Sequence, residues 1–236
     1  MSTVQIESDQ YWKELKWGKF SASLEFNLLS KGSFNKKTGL NEVFGDGAIS
    51  YIRRVARQAF TMFNPEDEME TYAMKQGKAK EADSFAYLEK MLGRRDVLTY
   101  YGGLNPLFEP YAPYKDDSGT SPDSVAWKDE GARIASFGAE LKNPAGDTHA
   151  DYLEFVKDHH DLKRYSSMYY VQIQKAMMTF GCDMWLWCSH NEYFPTAQRM
   201  LIIEVPADKN FQNELDARLD LAIKKKYEFI ETWKSR

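Results

Sequence analysis

Cysteine is scarce: the 236-residue chain has two, Cys182 and Cys188. On one strand their spacing gives a shared face but about 20 Å of separation, at roughly 3.3 Å rise per residue, so no intrachain disulfide is expected. Neither these cysteines nor the four histidines, His149, His159, His160 and His190, fall at zinc-ligand spacing, and no structural metal is expected. Long apolar runs are missing too. Stretches such as Met184-Trp185-Leu186-Trp187-Cys188 are far below the roughly 20 residues of a membrane-spanning helix. The start, Met1 to Glu7, has neither the basic residues nor the apolar stretch of a secretion signal. With so little cysteine, this points to the cytoplasm. Basic excess is absent as well, since 31 Lys and Arg against 35 Asp and Glu leave a net charge of −4. A protein that grips nucleic acid with its whole surface is basic, so any such contact must be local, in a groove. Local positive charge sits at Arg53-Arg54-Arg57, Lys75-Lys78-Lys80 and Lys224-Lys225-Lys226, and each run reads first as a solvated helix face. No internal repeat or low-complexity segment occurs.

What is abundant is apolar and aromatic: 43% and 14% of the chain, with 14 Phe, 14 Tyr and 6 Trp. That excludes disorder over most of the length and allows a sizeable core. A single domain, residues 1–236, is the working expectation.

Ser8 or Asp9 caps a first helix through Lys16, and a short helix follows from Ser21 to Leu29. Residues 30–46, rich in Gly, Ser and Asn, read as a loop. From Gly47, Ile49, Ile52, Val55, Ala56, Ala59, Phe60 and Phe63 recur at helical spacing until Asn64-Pro65. A long helix is expected over about 66–92, with Gly77 mid-way. An interior glycine costs about 1 kcal/mol relative to alanine, which suggests that another backbone approaches closely there. Strands follow at Val97–Tyr101, Ser124–Trp127 and Arg133–Lys142, the last two joined by a turn at Asp129-Glu130-Gly131. Helices at about 148–158 and 165–180, strands at Met184–Ser189 and Met200–Val205, and a helix over 208–233 complete the chain. The Met184–Trp187 stretch reads as a strand packed on both faces rather than a base-stacking platform. The order implies an α/β (α+β) fold with one central mixed sheet flanked by helices.

Chemistry concentrates in Ser121-Pro122-Asp123 and Glu140-Leu141-Lys142. Strand alternation puts Glu140 and Lys142 on one face and turns Leu141 into the core. With the turn near Glu130, mirror pairing sets Asp123 opposite about Phe137, roughly 10 Å short of Glu140, so a bulge or offset must close part of the gap. Asp123, Glu140 and the Leu141 carbonyl then offer oxygen ligands to a hard divalent cation. That set suits metal-assisted hydrolysis of a phosphodiester, with Lys142 placing the nucleophile or neutralising developing charge. Surface strands carry such pairs often, so the pair alone is weak.

Together, Ser121-Pro122-Asp123 and Glu140-Leu141-Lys142-Asn143-Pro144 resemble the active-site strands of the PD-(D/E)xK nuclease superfamily, in particular the lambda exonuclease and YqaJ-type viral recombinase group. Trp17-Gly18-Lys19-Phe20-Ser21-Ala22-Ser23 resembles the family's N-terminal segment, Gly77-Lys78-Ala79-Lys80-Glu81 its helical Gly-x-x-x-Glu motif, and Tyr169-Tyr170-Val171-Gln172-Ile173-Gln174 its tyrosine- and glutamine-bearing helix. The four motifs occur in the family's order over residues 11–205.

The resemblance implies a restriction-endonuclease-like core and a metal-dependent exonuclease. Such an enzyme degrades one strand of linear duplex DNA from 5′ to 3′ and leaves 3′ overhangs for a single-strand annealing partner in phage-type recombination. It implies that Asp123, Glu140 and the Leu141 carbonyl bind Mg2+ or Mn2+, with Glu81 at a second metal position. Lys142 serves the attacking water, Gln172 and Tyr169 orient the scissile region, and Ser23, Ser121 and Lys16 hold the terminal phosphate. Lysine at position 16, where the family has arginine, forgoes bidentate geometry, and Ser124 stands where glycine is frequent. A homotrimeric ring, positive inside and acidic outside, would reconcile the net charge with DNA binding. The setting implied is a bacterial cytoplasm, the chain being a phage or prophage product with no membrane partner. Two other readings stay open: a structure-specific or restriction-like endonuclease, and an inactive DNA-binding protein. Residue by residue, Glu81 also reads as a surface glutamate beside lysines, Gln172 and Gln174 as the wet side of a helix, and His159-His160 as a solvated helix end.

Overall fold

In the computed structural model, residues 3–35, 39–63, 72–93, 97–102 and 106–236 are described. In chain order, α1 (Thr3–Lys16) leads into β1 (Phe20–Ser21) and a 3-10 helix (Ala22–Leu29). A small hairpin of β2 (Phe34–Asn35) and β3 (Leu40–Asn41) precedes α2 (Asp46–Thr61) and α3 (Tyr72–Leu92). Short strands β4 (Thr99–Tyr100), β5 (Glu109–Pro110) and β6 (Ser118–Thr120) come next, then the longer β7 (Ser124–Asp129) and β8 (Ile134–Lys142). Helices α4 (Gly146–Phe155), α5 (His159–Tyr165) and α6 (Ser167–Phe180) cross to β9 (Met184–His190). β10 (Met200–Pro206) and α7 (Lys209–Lys234) complete the described chain.

The central sheet has the order β10-β9-β8-β7-β4 and is antiparallel throughout except between β8 and β9. A parallel pair needs a crossover, and α4 to α6 provide it. A smaller mixed sheet, β1-β6-β5, lays β1 parallel to β6. The mixed sheet flanked by helices is as expected; the second sheet is not, because two- and three-residue strands are too short to show alternation.

Strand alternation sorts the core into two layers. Trp185 and Trp187 of β9 point to one face, with Tyr152, Ile173, Met177 and Phe180. Leu186 and Cys188 point to the other, with Leu88, Leu98 and Leu141. Both faces of β9 are thus dry, as its apolar run predicts. Gly138 pairs with Trp185 across β8 and β9, and a Cβ there would fall inside the indole ring, so only glycine fits.

Other details depart from the sequence pattern. Residues 30–46 hold the β2–β3 hairpin rather than only loop. α2 stops at Thr61 with Met62 left-handed, φ 50°, so Phe60 and Phe63 are exposed at 46% and 49%. Further back on the helix, Val55 packs in one cluster with Leu219, Ala222 and Ile223 of α7, and Ala56 is buried. The expected stop at Asn64-Pro65 and helix start at Glu66 lie outside the described residues. The single helix expected near 148–158 ends at Phe155, and α5 begins afresh where the Asp158 carboxylate accepts from the His160 and Asp161 amides at 2.8 and 3.0 Å. Around Gly77 a Cβ would meet nothing within 4 Å among the described residues, so none of their backbone crowds it, contrary to the expectation.

Candidate active site

The candidate centre lies where β8 outruns β7. The last pair across those strands is Ser124 with Ala139, so Glu140, Leu141 and Lys142 have a strand neighbour on the β9 side alone. In the notch, the side chain of Asp123 takes the place of a strand: its Oδ2 accepts from the Leu141 N–H at 2.5 Å. Since N–H and C=O of one strand residue face the same edge, the Leu141 carbonyl faces this notch too.

The gap anticipated between Asp123 and Glu140 closes, though not by a bulge. Val125 pairs with Gly138 and Asp129 with Ile134, which centres the hairpin between Gly131 and Ala132 instead of at Glu130. Arg133 takes the left-handed conformation there, φ 57°. The two irregularities flanking Trp127 fall on opposite strands and cancel.

From the α6 side, Gln172 donates to Glu140 Oε1 at 2.7 Å, and the Lys142 ammonium closes on the same oxygen. Lys142 Nζ also lies 5.0 Å from the centre of the Tyr169 ring. Gln172 and Gln174 are both buried, so the solvated-face alternative fails. Gln174 accepts from the Asp208 amide at 2.9 Å and donates to the Pro206 carbonyl at 2.9 Å. Residues 170–177 of α6 are buried without interruption, which erases the amphipathic pattern that the wet-side reading requires.

From the opposite side, α3 brings Glu81. Phe85, one turn further on, stacks on Tyr100 with ring centres 4.9 Å apart, and the Tyr100 hydroxyl bonds to Glu81. Gly102 leaves the space, because a Cβ there would overlap the Tyr100 hydroxyl and Glu81 Oε1. Asn143 fastens α3 to the end of β8: its Oδ1 accepts from the Ser84 hydroxyl and its Nδ2 donates to the Gly77 carbonyl at 3.5 Å. Tyr100, Gly102 and Asn143 were not singled out as site residues by sequence reasoning. Only Asn143 carried a signal, its place directly after Lys142.

Carboxylates crowd this notch. Burial, then the charge of Glu140 and more distantly that of Glu81, push the Asp123 carboxyl well above the usual range, against the pull of Lys142 and the Leu141 amide. For Lys142, burial acts downward, but Glu140 and Asp123 outweigh it and hold the ammonium more firmly protonated. Among the described residues, no three acidic or imidazole side chains stand ready-made as a metal cluster. The donor chemistry nevertheless fits a hard divalent cation: oxygen atoms alone, with mutual repulsion at Asp123 that a cation would relieve.

The remaining expected residues fall around the small sheet. The parallel register of Phe20 with Ser118 and Ser21 with Gly119 lays the Ser21–Ser23 segment beside the one leading to Ser121. Ser23 Oγ is 2.9 Å from Ser21 Oγ, and Ser121 Oγ is buried with no hydrogen-bond partner among the described residues. Lys16 ends α1 with its ammonium 3.8 Å over the Trp12 ring. The run at 224–226 is no open cationic face: Lys224 and Lys225 pair with Asp220 and Glu228 at 2.6 and 2.7 Å. Lys226 is buried, 2.6 Å from Asp117 and 2.7 Å from the Gly18 carbonyl.

No protein-family model and no curated protein matches the chain. Solved structures do. An alkaline exonuclease (LHK-Exo) from Laribacter hongkongensis superposes with a TM-score of 0.75 at 17% identity, covering 96% of each chain. The chain has an exonuclease fold. The same enzyme in complex with dAMP aligns equally well, with a TM-score of 0.75. A phage related exonuclease from Haemophilus somnus 129PT gives a TM-score of 0.63 at 13% identity, over 92% of this chain and 95% of that one. The exonuclease fold is the architecture that the motif resemblance implied. Among the described residues, no helix is long and apolar enough to cross a membrane.

Proposed function

We propose that the chain is a single-domain, metal-dependent DNA exonuclease of the lambda exonuclease group, acting on linear duplex ends from 5′ to 3′. The observation that carries this reading is the notch itself. Asp123 just before β7, Glu140 and Lys142 of β8, Gln172 of α6 and Glu81 of α3 gather at one end of a sheet whose fold is that of exonucleases. The similar structure solved with dAMP fits exonucleolytic cutting, since a mononucleotide is what each cut would release.

Asp123, Glu140, Glu81 and the Leu141 carbonyl would hold the metal. When bound, Mg2+ or Mn2+ would polarise a phosphoryl oxygen and lower the pKa of a water molecule. The chain's own groups do the rest. Gln172 fixes one Glu140 oxygen, so the carboxylate keeps one orientation. Lys142 supplies a fixed positive charge against the negative charge that builds on the phosphoryl oxygens, and Tyr169 walls its far side. Water attacks phosphorus, the bond to the 3′ oxygen breaks, and that oxygen leaves with a proton. Ser23 and Ser121, just beyond the ends of the neighbouring strands β1 and β6, would receive the terminal 5′ phosphate, with Lys16 adding charge. A homotrimer around DNA, in a phage-type recombination system with a single-strand annealing protein, completes the reading.

The deciding experiment is a time course on end-labelled linear duplex with magnesium, comparing 5′-phosphate with 5′-hydroxyl ends and including closed circular duplex. Early release of mononucleotide from the 5′ label, with circles intact, is expected. Cleaved circles would move the assignment to an endonuclease, and no cleavage of any substrate would leave a DNA-binding protein. Lys142→Ala should abolish digestion while the circular dichroism spectrum stays unchanged.

A further inference from the structure

Outside the notch lies a second, fully enclosed pair of charges. Glu25 in the 3-10 helix and Lys175 in α6 are both 0% exposed, with Nζ 3.5 Å from Oε1. Beyond the pair, the half-buried Asp216 accepts from the Tyr111 hydroxyl at 3.0 Å, and its charge acts on both groups. Ser118 Oγ donates to the same Glu25 oxygen at 2.8 Å, and the Lys175 ammonium lies 3.5 Å from the centre of the Tyr111 ring. Among the described residues, Glu25 Oε2 and Lys175 Nζ have no hydrogen-bond partner. Burial pushes the glutamate up and the lysine down, each against the attraction of the other.

Stability does not account for such an arrangement. The desolvation penalty of a buried ion pair commonly exceeds its Coulombic gain, and apolar replacements of similar volume are often as stable or more so. Its placement suggests a different role. Glu25 lies two residues beyond Ser23. Ser118 lies on β6, which runs into Ser121 and Asp123. Lys175 is three residues beyond Gln172, on the same face of α6, and Gln172 holds Glu140. Three segments that are distant in sequence, each bearing part of the candidate centre, therefore meet at one buried point.

We propose that Glu25 and Lys175 are positioning residues, a charged peg that fixes the Ser23 segment, the strand entering Asp123 and the Gln172 helix relative to one another. The inference rests on the nuclease reading for its effect on catalysis, but not for its structural content. Apolar burial is non-directional, whereas an enclosed ion pair leaves each charge uncompensated once its partners move apart. The pair thus holds the phosphate-binding serines at a set distance from the reacting centre.

The test uses the full chain with the double substitution Glu25→Gln and Lys175→Met, which removes both charges at nearly constant volume and leaves no lone buried ion. The melting temperature should be kept or raised. The kcat of the folded protein on linear duplex should fall about tenfold to a hundredfold, the loss that displacements of about 1 Å produce. Amide hydrogen exchange should speed up together in residues 20–25, 118–123 and 170–176. A kcat within twofold of the wild type would overturn the proposal, and so would faster exchange confined to one of the three segments. If the wild-type chain digests no DNA, the nuclease reading falls, and the exchange measurement still decides whether the pair couples the three segments.

Discussion

Adding and removing a divalent cation should change the stability of this fold in a pH-dependent way. In the metal-free protein the Asp123 carboxyl sits above its ordinary range because of burial and the charges of Glu140 and Glu81. A carboxyl raised in the folded state favours folding below its unfolded pKa, and that contribution is lost as pH rises through the folded value. Ionising Asp123 without metal therefore costs about 1.4 kcal/mol for each tenfold rise in its proton affinity. A cation among these oxygens reverses the balance. At a hundredfold excess over Kd it stabilises by about 2.7 kcal/mol. For a chain of this size 1 kcal/mol moves Tm by about 2–4 °C, so the expected rise is about 5–11 °C. Thermal melts in EDTA and in millimolar Mg2+ or Mn2+, repeated from acidic to mildly alkaline pH, read the effect directly. The gap between the two curves should be small where Asp123 is protonated and should widen as it ionises. In Asp123→Asn with Glu140→Gln the gap should close. A rise of the same size in that double variant, or no rise at any pH, would refute the reasoning.

Gln172→Leu removes a 2.7 Å bond to the buried Glu140 carboxylate; bonds to charged groups are worth about 1.5–3 kcal/mol, so kcat on linear duplex should fall about tenfold or more, and an unchanged kcat would remove Gln172 from the centre. Gly102→Ala must push the Tyr100 hydroxyl and Glu81 apart, with a clear loss of activity and a change in Tm of only a few degrees; the opposite outcome would make the Tyr100–Glu81 contact purely structural. Gly138→Ala drives a methyl group into Trp185, which is wholly buried; overpacking of this kind costs about 1–3 kcal/mol, seen as a lower urea midpoint. Gly77→Ala meets open space among the described residues and should instead stabilise the fold by about 1 kcal/mol of helix propensity, seen as a higher midpoint.

Much of the sheet was legible because its long strands alternate or are wholly apolar. Trp185 and Trp187 could be placed inside, and Glu140 and Lys142 on a common face, from period two alone. What the pattern could not supply was register. A hairpin centre displaced by little more than one residue decides whether Asp123 faces Phe137 or Glu140, and glycine at position 131 is compatible with either. Burial of α6 was also hidden: its glutamines and Lys175 look solvated in sequence, and only packing against β8, the 3-10 helix and α7 makes them internal. Tyr100 gave no sign of its contact with Glu81, because a strand tyrosine that stacks on a helix phenylalanine looks like any core residue. Asp123 and Glu140 stood out as candidate ligands by residue type once an offset was allowed, whereas Glu81 rested on motif order, since beside its lysines it reads equally as a surface glutamate.

Asp123 serves β8 as a surrogate neighbour, its oxygen capping an amide that no strand reaches. Any ion drawn to that carboxylate is therefore tied to the backbone of Leu141 as well, and changes in charge at one are felt as tension in the other. Truncating the residue to alanine would strip a donor of its acceptor along with removing a ligand, and its damage would mix two causes. Asparagine, which can still accept from that amide, separates them. The unpaired end of β8 is what lets one side chain perform both duties.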